Sequence, residues 1–216
     1  VQPRGQPLHL RSHQRLAPSL GKIYASRLSK LGYEIFHRRN ALARTKRKGS
    51  CMTPSHNILN CRFDAVNEAG AAQWARETLR SGKRGHISTV NVAILMMMRS
   101  DPRLKQYIDD SGLIVADGQP LIWLSKLLRK PLPERVAGVE LVHELVNVAS
   151  QENAGIYLMG ATQDIVEDVA KKLSEQTSNA QFVGVQDGYF SHEESKARAQ
   201  AIRESGAKLL IVAMGV

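Results

Sequence analysis

From Ile58 onward the apolar positions switch repeatedly between short continuous runs and spacings of three and four, which predicts strands alternating with helices. The first helix is expected to start at Asn67 as its N-cap, to bury Ala71, Trp74, Ala75 and Leu79, and to stop at Ser81-Gly82. His86-Ile87-Ser88-Thr89-Val90 reads as a strand, and Asn91 opens an apolar helix through Met96 to Met98, whose methionines read as core filling. Asp101-Pro102 caps a helix carrying Leu104, Tyr107 and Ile108, Gly112 ends it, and Leu113-Ile114-Val115-Ala116 is a buried strand running into Asp117-Gly118.

The same rhythm continues to Val216. Pro120 suits the first turn of a helix carrying Leu121, Leu124, Leu127 and Leu128, and Gly138 precedes another through Leu141, Leu145 and Val148. Ile156 to Gly160 is a strand, and Thr162 caps a helix carrying Ile165, Val169 and Leu173. Phe182 to Val185 is the next strand. Ser191 with Glu194 forms a capping box for a helix through Ile202, and Leu209 to Ala213 is the last strand. The expected architecture is α/β, a Rossmann-like parallel sheet flanked by helices, over residues 57–216, with residues 1–56 a basic extension or linker.

Charge sharpens that division. Of 30 Lys+Arg and 20 Asp+Glu, residues 1–50 hold 12 basic side chains and one acid, Glu34, so the net +10 belongs to the head and the body is close to neutral. Leu20, Ile23, Tyr24, Leu28, Leu31 and Ile35, with Lys22, Arg27 and Lys30 between them, fit a basic amphipathic helix that could dock on anionic lipid or nucleic acid; a solvated tail reads equally well. The head also has the composition of an organellar transit peptide, and Met52 would suit an internal start. No aromatic residue interleaves the basic tract from Arg44 to Lys48 to stack bases, so no specific nucleic-acid partner is expected. No apolar run reaches the roughly 18 residues of a spanning helix. Two cysteines, Cys51 and Cys61, without CxxC spacing argue against a zinc ribbon, a redox pair and a disulfide scaffold.

Chemistry is expected where strands end, because ligands of open parallel sheets lie beyond the carboxyl ends of the strands. Thr89, Asn91, Asp117, Gly160 and Asp187 occupy such positions. Asp117 is the sharpest candidate: a carboxylate after four apolar residues and before a glycine can be partly desolvated, which raises its pKa toward that of a useful general base; a loop acid or helix cap is the plainer alternative. Tyr157 to Thr162 forms a strand, a small-residue turn and a helix start, suited to phosphate or ribose hydroxyls. The chain has no GxGxxG, no GxxxxGK[ST] and no GxSxG, which argues against dinucleotide, P-loop and α/β-hydrolase sites. It also lacks an Asp-x-Asp pair, so neither a metal nor a cofactor is expected.

In order and spacing, Thr89-Val90-Asn91, Ala116-Asp117-Gly118, Pro133-Glu134-Arg135-Val136-Ala137-Gly138-Val139-Glu140-Leu141 and Gly188-Tyr189-Phe190 resemble the WecG/TagA/CpsF glycosyltransferase family over about Asn57 to Val216. The resemblance implies an inverting, metal-independent transfer of an N-acetylmannosamine-type sugar from a UDP-sugar donor to a polyprenyl-diphosphate-linked acceptor. It further implies work at the inner face of the cell membrane, in cell-envelope polysaccharide or teichoic-acid linkage synthesis. Carried over by motif, Asp117 would be the base, Thr89 and Asn91 would line its pocket, and Arg135 would neutralise a diphosphate, unless it serves as a surface ion-pair residue. Two departures stand out: Glu140 takes the place of a common Asp, and a Gly-x-Pro-Lys-Gln-Glu segment that follows the last strand in the family lies beyond Val216, as in a fragment. The competing readings are a truncated sugar- or nucleotide-binding protein without turnover, and a nucleic-acid-binding module working through the head.

Overall fold

The computed structural model describes residues 54–191 and 193–214. The expected amphipathic helix, the basic tract and Met52 lie outside the described residues.

The described chain opens with a hairpin that the hydrophobic pattern does not announce. Strands β1 (Ser55–Ile58) and β2 (Cys61–Asp64) pair antiparallel around Leu59-Asn60. Both turn residues have positive φ, 48° and 64°, which lets a two-residue turn follow the twist of its strands. The hairpin is fastened inward by the buried Asp64, whose Oδ2 accepts the Ile114 N–H at 2.8 Å and lies 3.4 Å from the Arg62 guanidinium. Cys61 is fully buried, and burial, with Asp109 and Asp64 nearby, pushes its thiol up to about 12.

Helix α1 (Glu68–Arg80) begins as expected at Asn67, whose side chain accepts the Gly70 N–H at 2.9 Å. Strand β3 (Ile87–Val90) then pairs in parallel with β4 (Leu113–Ala116), and helices α2 (Val92–Met98) and α3 (Pro102–Asp109) make the crossover. Asp101 caps α3 with its side chain on the Arg103 and Leu104 amides. All four residues of β4 are buried, which explains its unbroken apolar sequence. Helices α4 (Gln119–Leu127) and α5 (Gly138–Gln151) follow.

The second group of parallel strands has the order β6 (Phe182–Gln186), β5 (Ile156–Gly160), β7 (Leu209–Ala213), with helices α6 (Gln163–Gln176) and α7 (Ser195–Glu204) in the connections. Helix α1 packs along α5, and beside that contact Arg76 and Arg80 reach Glu152 at 3.3 and 2.8 Å. The α/β architecture expected from the sequence is the one observed.

Two helical faces are rotated from expectation. On α6 the buried residues are Val166, Ala170 and Leu173, spaced four and three apart, while Ile165 and Val169 stand about 100° away and are exposed. On α4, Leu121, Ile122 and Ser125 are buried, whereas Leu127 and the C-cap residue Leu128 face outward.

Candidate active site

The carboxyl ends of β3 and β4 are extended by one bond, from the Asp117 N–H to the Val90 carbonyl at 2.9 Å. The chain then leaves through α4 and returns: the Val136 N–H donates to the Ala116 carbonyl at 2.9 Å, which presses the loop before α5 against the end of β4. Helix α5 has Ala137 at its N-cap position, a residue with no acceptor in its side chain. Asp117 fills that deficit from a distant part of the sequence. Its Oδ2 accepts the N–H of Gly138, the first residue of α5, at 3.3 Å.

Thr89 closes this arrangement from the neighbouring strand. A β-carbon built on Gly138 would lie 3.3 Å from Thr89 Oγ1 and 3.8 Å from Asp117 Oδ2, so the three residues meet with no room to spare. Gly138 therefore belongs to the candidate site, although the sequence reading gives it no role beyond a helix boundary and a place in the Pro133 to Leu141 motif; the signal was the Arg-Val-Ala-Gly run feeding directly into a helix. Asn91, two residues beyond Thr89, uses Oδ1 to cap α2 through the Ile94 N–H at 2.9 Å. Its amide NH2 takes no part in that bond.

Arg135 lies in the returning loop and pairs with Glu140 at 2.7 Å, the two side chains being 39% and 52% exposed. Glu134, beside it, accepts the Glu68 N–H at 2.9 Å. Several carboxylates crowd this rim, and partial desolvation, reinforced by Glu140, Glu144 and Glu134, holds the Glu68 carboxyl above its usual range. The expected ion-pair alternative for Arg135 is thus present in the structure, in a solvent-exposed form.

Gly160 sits at the carboxyl end of β5, in the other strand group. Its φ is +157°, and a β-carbon there would lie 2.2 Å from the Ala213 carbonyl oxygen, so close packing of β5 on β7 is enough to require glycine. Among the described residues no hydrogen bond or ion pair joins Gly160 to Thr89, Asp117 or Arg135. Asp187 is engaged in holding its own loop: Arg198 reaches its carboxylate at 3.1 Å and its carbonyl at 2.8 Å, and the Tyr189 N–H donates to Asp187 Oδ1 at 2.8 Å. Next to it, Gln186 Oε1 is buried without a hydrogen-bond partner among the described residues, an acceptor that a ligand N–H or O–H would satisfy. Nothing in the apolar pattern of β6 marks Gln186. Among the described residues no three His, Cys, Asp or Glu side chains converge as a metal-binding set.

A family description for glycosyl transferases of the WecG/TagA/CpsF type matches residues 56–216, which takes in both strand groups and every residue of this site. The chain belongs to the WecG/TagA/CpsF glycosyltransferase family. It is accordingly an enzyme of glycosyl transfer, of a family that serves cell-envelope polysaccharide synthesis and generally joins a sugar-nucleotide donor to a lipid-linked acceptor. Within this WecG/TagA/CpsF chain the motif residues Thr89 and Asp117 both lie against Gly138, while Arg135 pairs with Glu140 on the rim. Among the described residues no helix is long and apolar enough to cross a membrane.

Proposed function

We propose that this protein is an inverting transferase that moves an N-acetylmannosamine-type sugar from a UDP-sugar to the hydroxyl of a polyprenyl-diphosphate-linked sugar, with Asp117 as general base. The observation that carries this reading is the meeting of Thr89, Asp117 and the Gly138 N–H at the carboxyl end of β4. A carboxylate held by one oxygen keeps a fixed direction for the other, and a fixed base is what proton transfer in a transition state needs.

In the step itself, the acceptor oxygen attacks the anomeric carbon from the face opposite the diphosphate. The new C–O bond forms, the hydroxyl proton passes to Asp117, and the anomeric C–O bond to the diphosphate breaks with its electron pair leaving on UDP. Charge therefore develops on the diphosphate, and Arg135 is the cation offered to it, which supports a transfer that proceeds without a metal ion. An exposed ion pair contributes only about 0.2–1 kcal/mol, so Arg135 can exchange Glu140 for a substrate phosphate at little cost. Thr89 and Asn91 offer hydroxyl and amide groups to the sugar on the same rim, and Gly160 with the start of α6 offers backbone amides to the nucleotide. The enzyme would meet its acceptor at the inner face of the cell membrane.

The test is UDP release from UDP-N-acetylmannosamine with a short-chain lipid-linked acceptor, in chelator, with NMR of the product to read the anomeric configuration. Turnover with inverted configuration is expected. Retained configuration, or undiminished turnover in Asp117→Asn, would sink the mechanism.

A further inference from the structure

Helix α4 is apolar on both sides. Leu121, Ile122 and Ser125 are buried beneath it, as a helix covering a sheet requires. The opposite face of such a helix is normally polar, yet here Trp123 is 62% and Leu127 80% exposed, with Leu128 at the C-cap 43% exposed. Trp123 and Leu127 are four residues apart and share one face, with Lys126 between them. Arg129 and Lys130 follow, both exposed, and Lys130 Nζ donates to the Asn57 carbonyl at 3.0 Å. No acid occurs from Gly118 to Pro133, so every charge that this stretch itself places beside the apolar face is positive.

We propose that this face of α4 docks on anionic phospholipid, with Trp123, Leu127 and Leu128 entering at headgroup depth and Lys126, Arg129 and Lys130 meeting lipid phosphates. Tryptophan and leucine flanked by lysine and arginine form the composition of a helix that lies in a membrane interface. A second copy of the chain fits less well. Three apolar side chains fall far short of the roughly 800 Å² per partner of a stable protein interface, and a two-fold contact would set three cations against three cations.

The position has a consequence for the reaction. Trp123 lies four residues into α4 from Gln119, a rise of about 6 Å along the helix, and Asp117 stands just before the Gly118 N-cap, so a docked α4 holds the site close to the bilayer surface. That purpose, though not the surface itself, rests on the reading of a lipid-linked acceptor.

The experiment follows tryptophan emission of the whole chain with vesicles of phosphatidylcholine alone or mixed with phosphatidylglycerol, each prepared with and without brominated acyl chains. Trp74 is half-buried against Gly85 and Gly112, which leaves Trp123 as the more exposed reporter at the surface. Quenching by brominated chains is expected in the anionic vesicles and absent in the neutral ones. Leu127→Glu combined with Leu128→Glu should abolish it while turnover on a water-soluble acceptor persists, so that failure of docking and failure of the proposed reaction read out separately. Lys126→Gln and Arg129→Gln, which change exposed charges and leave the packing alone, should each weaken vesicle binding about fivefold. Sedimentation with vesicles while Trp123 stays unquenched would overturn the proposal, since the contact would then be made elsewhere. So would a concentration-dependent dimer that the two glutamates dissolve.

Discussion

The Gly138 N–H donates to Asp117 Oδ2 at 3.3 Å, so the carboxylate at the end of β4 also caps the helix that begins 21 residues later. An asparagine at 117 can keep this hydrogen bond through its side-chain oxygen while losing the ability to take a proton. Asp117→Asn should therefore cut turnover by about 10²- to 10⁴-fold with little change in circular dichroism or melting temperature. Gly138→Ala tests the same geometry from the other side, because its methyl group would stand 3.3 Å from Thr89 Oγ1 and force that hydroxyl to move. Its expected result is a reduced kcat with a modest loss of stability. Wild-type turnover in both variants would separate the Thr89, Asp117 and Gly138 contact from the chemistry.

Arg135 and Glu140 supply a second test. Removing a cation that stabilises charge in the transition state costs on the order of 10²- to 10³-fold in rate, far more than loss of an exposed ion pair costs in stability. Arg135→Ala is expected to lower kcat/KM by about that factor and to leave the melting temperature within about 2 °C of wild type. Glu140→Gln frees the guanidinium and is expected to lower the KM for the UDP-sugar. If Arg135→Ala melts early and turns over normally, Arg135 is a structural residue.

Much of the fold was legible because it rests on local rules that leave marks in the sequence. Asn67, Asn91 and Asp101 cap helices with the side-chain oxygens that made them recognisable, and Ser191 exchanges hydrogen bonds with Glu194 as the capping box requires. The β1–β2 hairpin was not legible, because Leu59-Asn60 adopts positive φ without the glycine that normally announces such a turn. The outward faces of α4 and α6 were misread for a related reason: a leucine or valine counts as core in any periodic pattern, and only the packed sheet decides which of two adjacent apolar stripes it covers. At the candidate site, strand ends pointed to Thr89 and Asp117, but that Gly138 lies against both depends on a loop returning to Ala116, a long-range contact that the Arg-Val-Ala-Gly run does not reveal by itself. Gln186 was hidden similarly, since a glutamine at a strand end looks like any loop residue until its oxygen is buried.

Gly160 and Gly82 both have positive φ, and they should respond very differently to alanine. Around Gly82, at φ 63°, a β-carbon meets nothing within 4 Å, so Gly82→Ala costs only the left-handed backbone strain of about 1 kcal/mol, a drop of roughly 3 °C in melting temperature. At Gly160 the β-carbon would collide with Ala213 backbone at 2.2 Å, where neither β5 nor β7 can yield without breaking the ladder between them. Gly160→Ala is expected to lose several times as much, or to fail to fold. Equal melting temperatures for the two variants would contradict the close approach of the strands.

Glu152 gives the acid limb of stability a specific source. It is shared by Arg80 and Arg76 where α1 meets α5, and the Arg80 hydrogen bond above all holds its carboxyl below the usual value of 4.5. A carboxyl depressed in the folded state binds its proton more readily once unfolded. Its contribution is thus complete above about pH 4.5 and is lost as pH falls through the lower folded value. Glu152→Gln should accordingly be less stable than wild type at pH 7, and the two stability curves should converge on acidification below pH 4.5, as read by urea denaturation across pH. Salt should shrink the neutral-pH difference, because Arg80 is exposed and its attraction to Glu152 is screened. A difference that stays constant from pH 7 down to pH 3 would mean that Glu152 supports the contact of α1 and α5 through packing rather than charge.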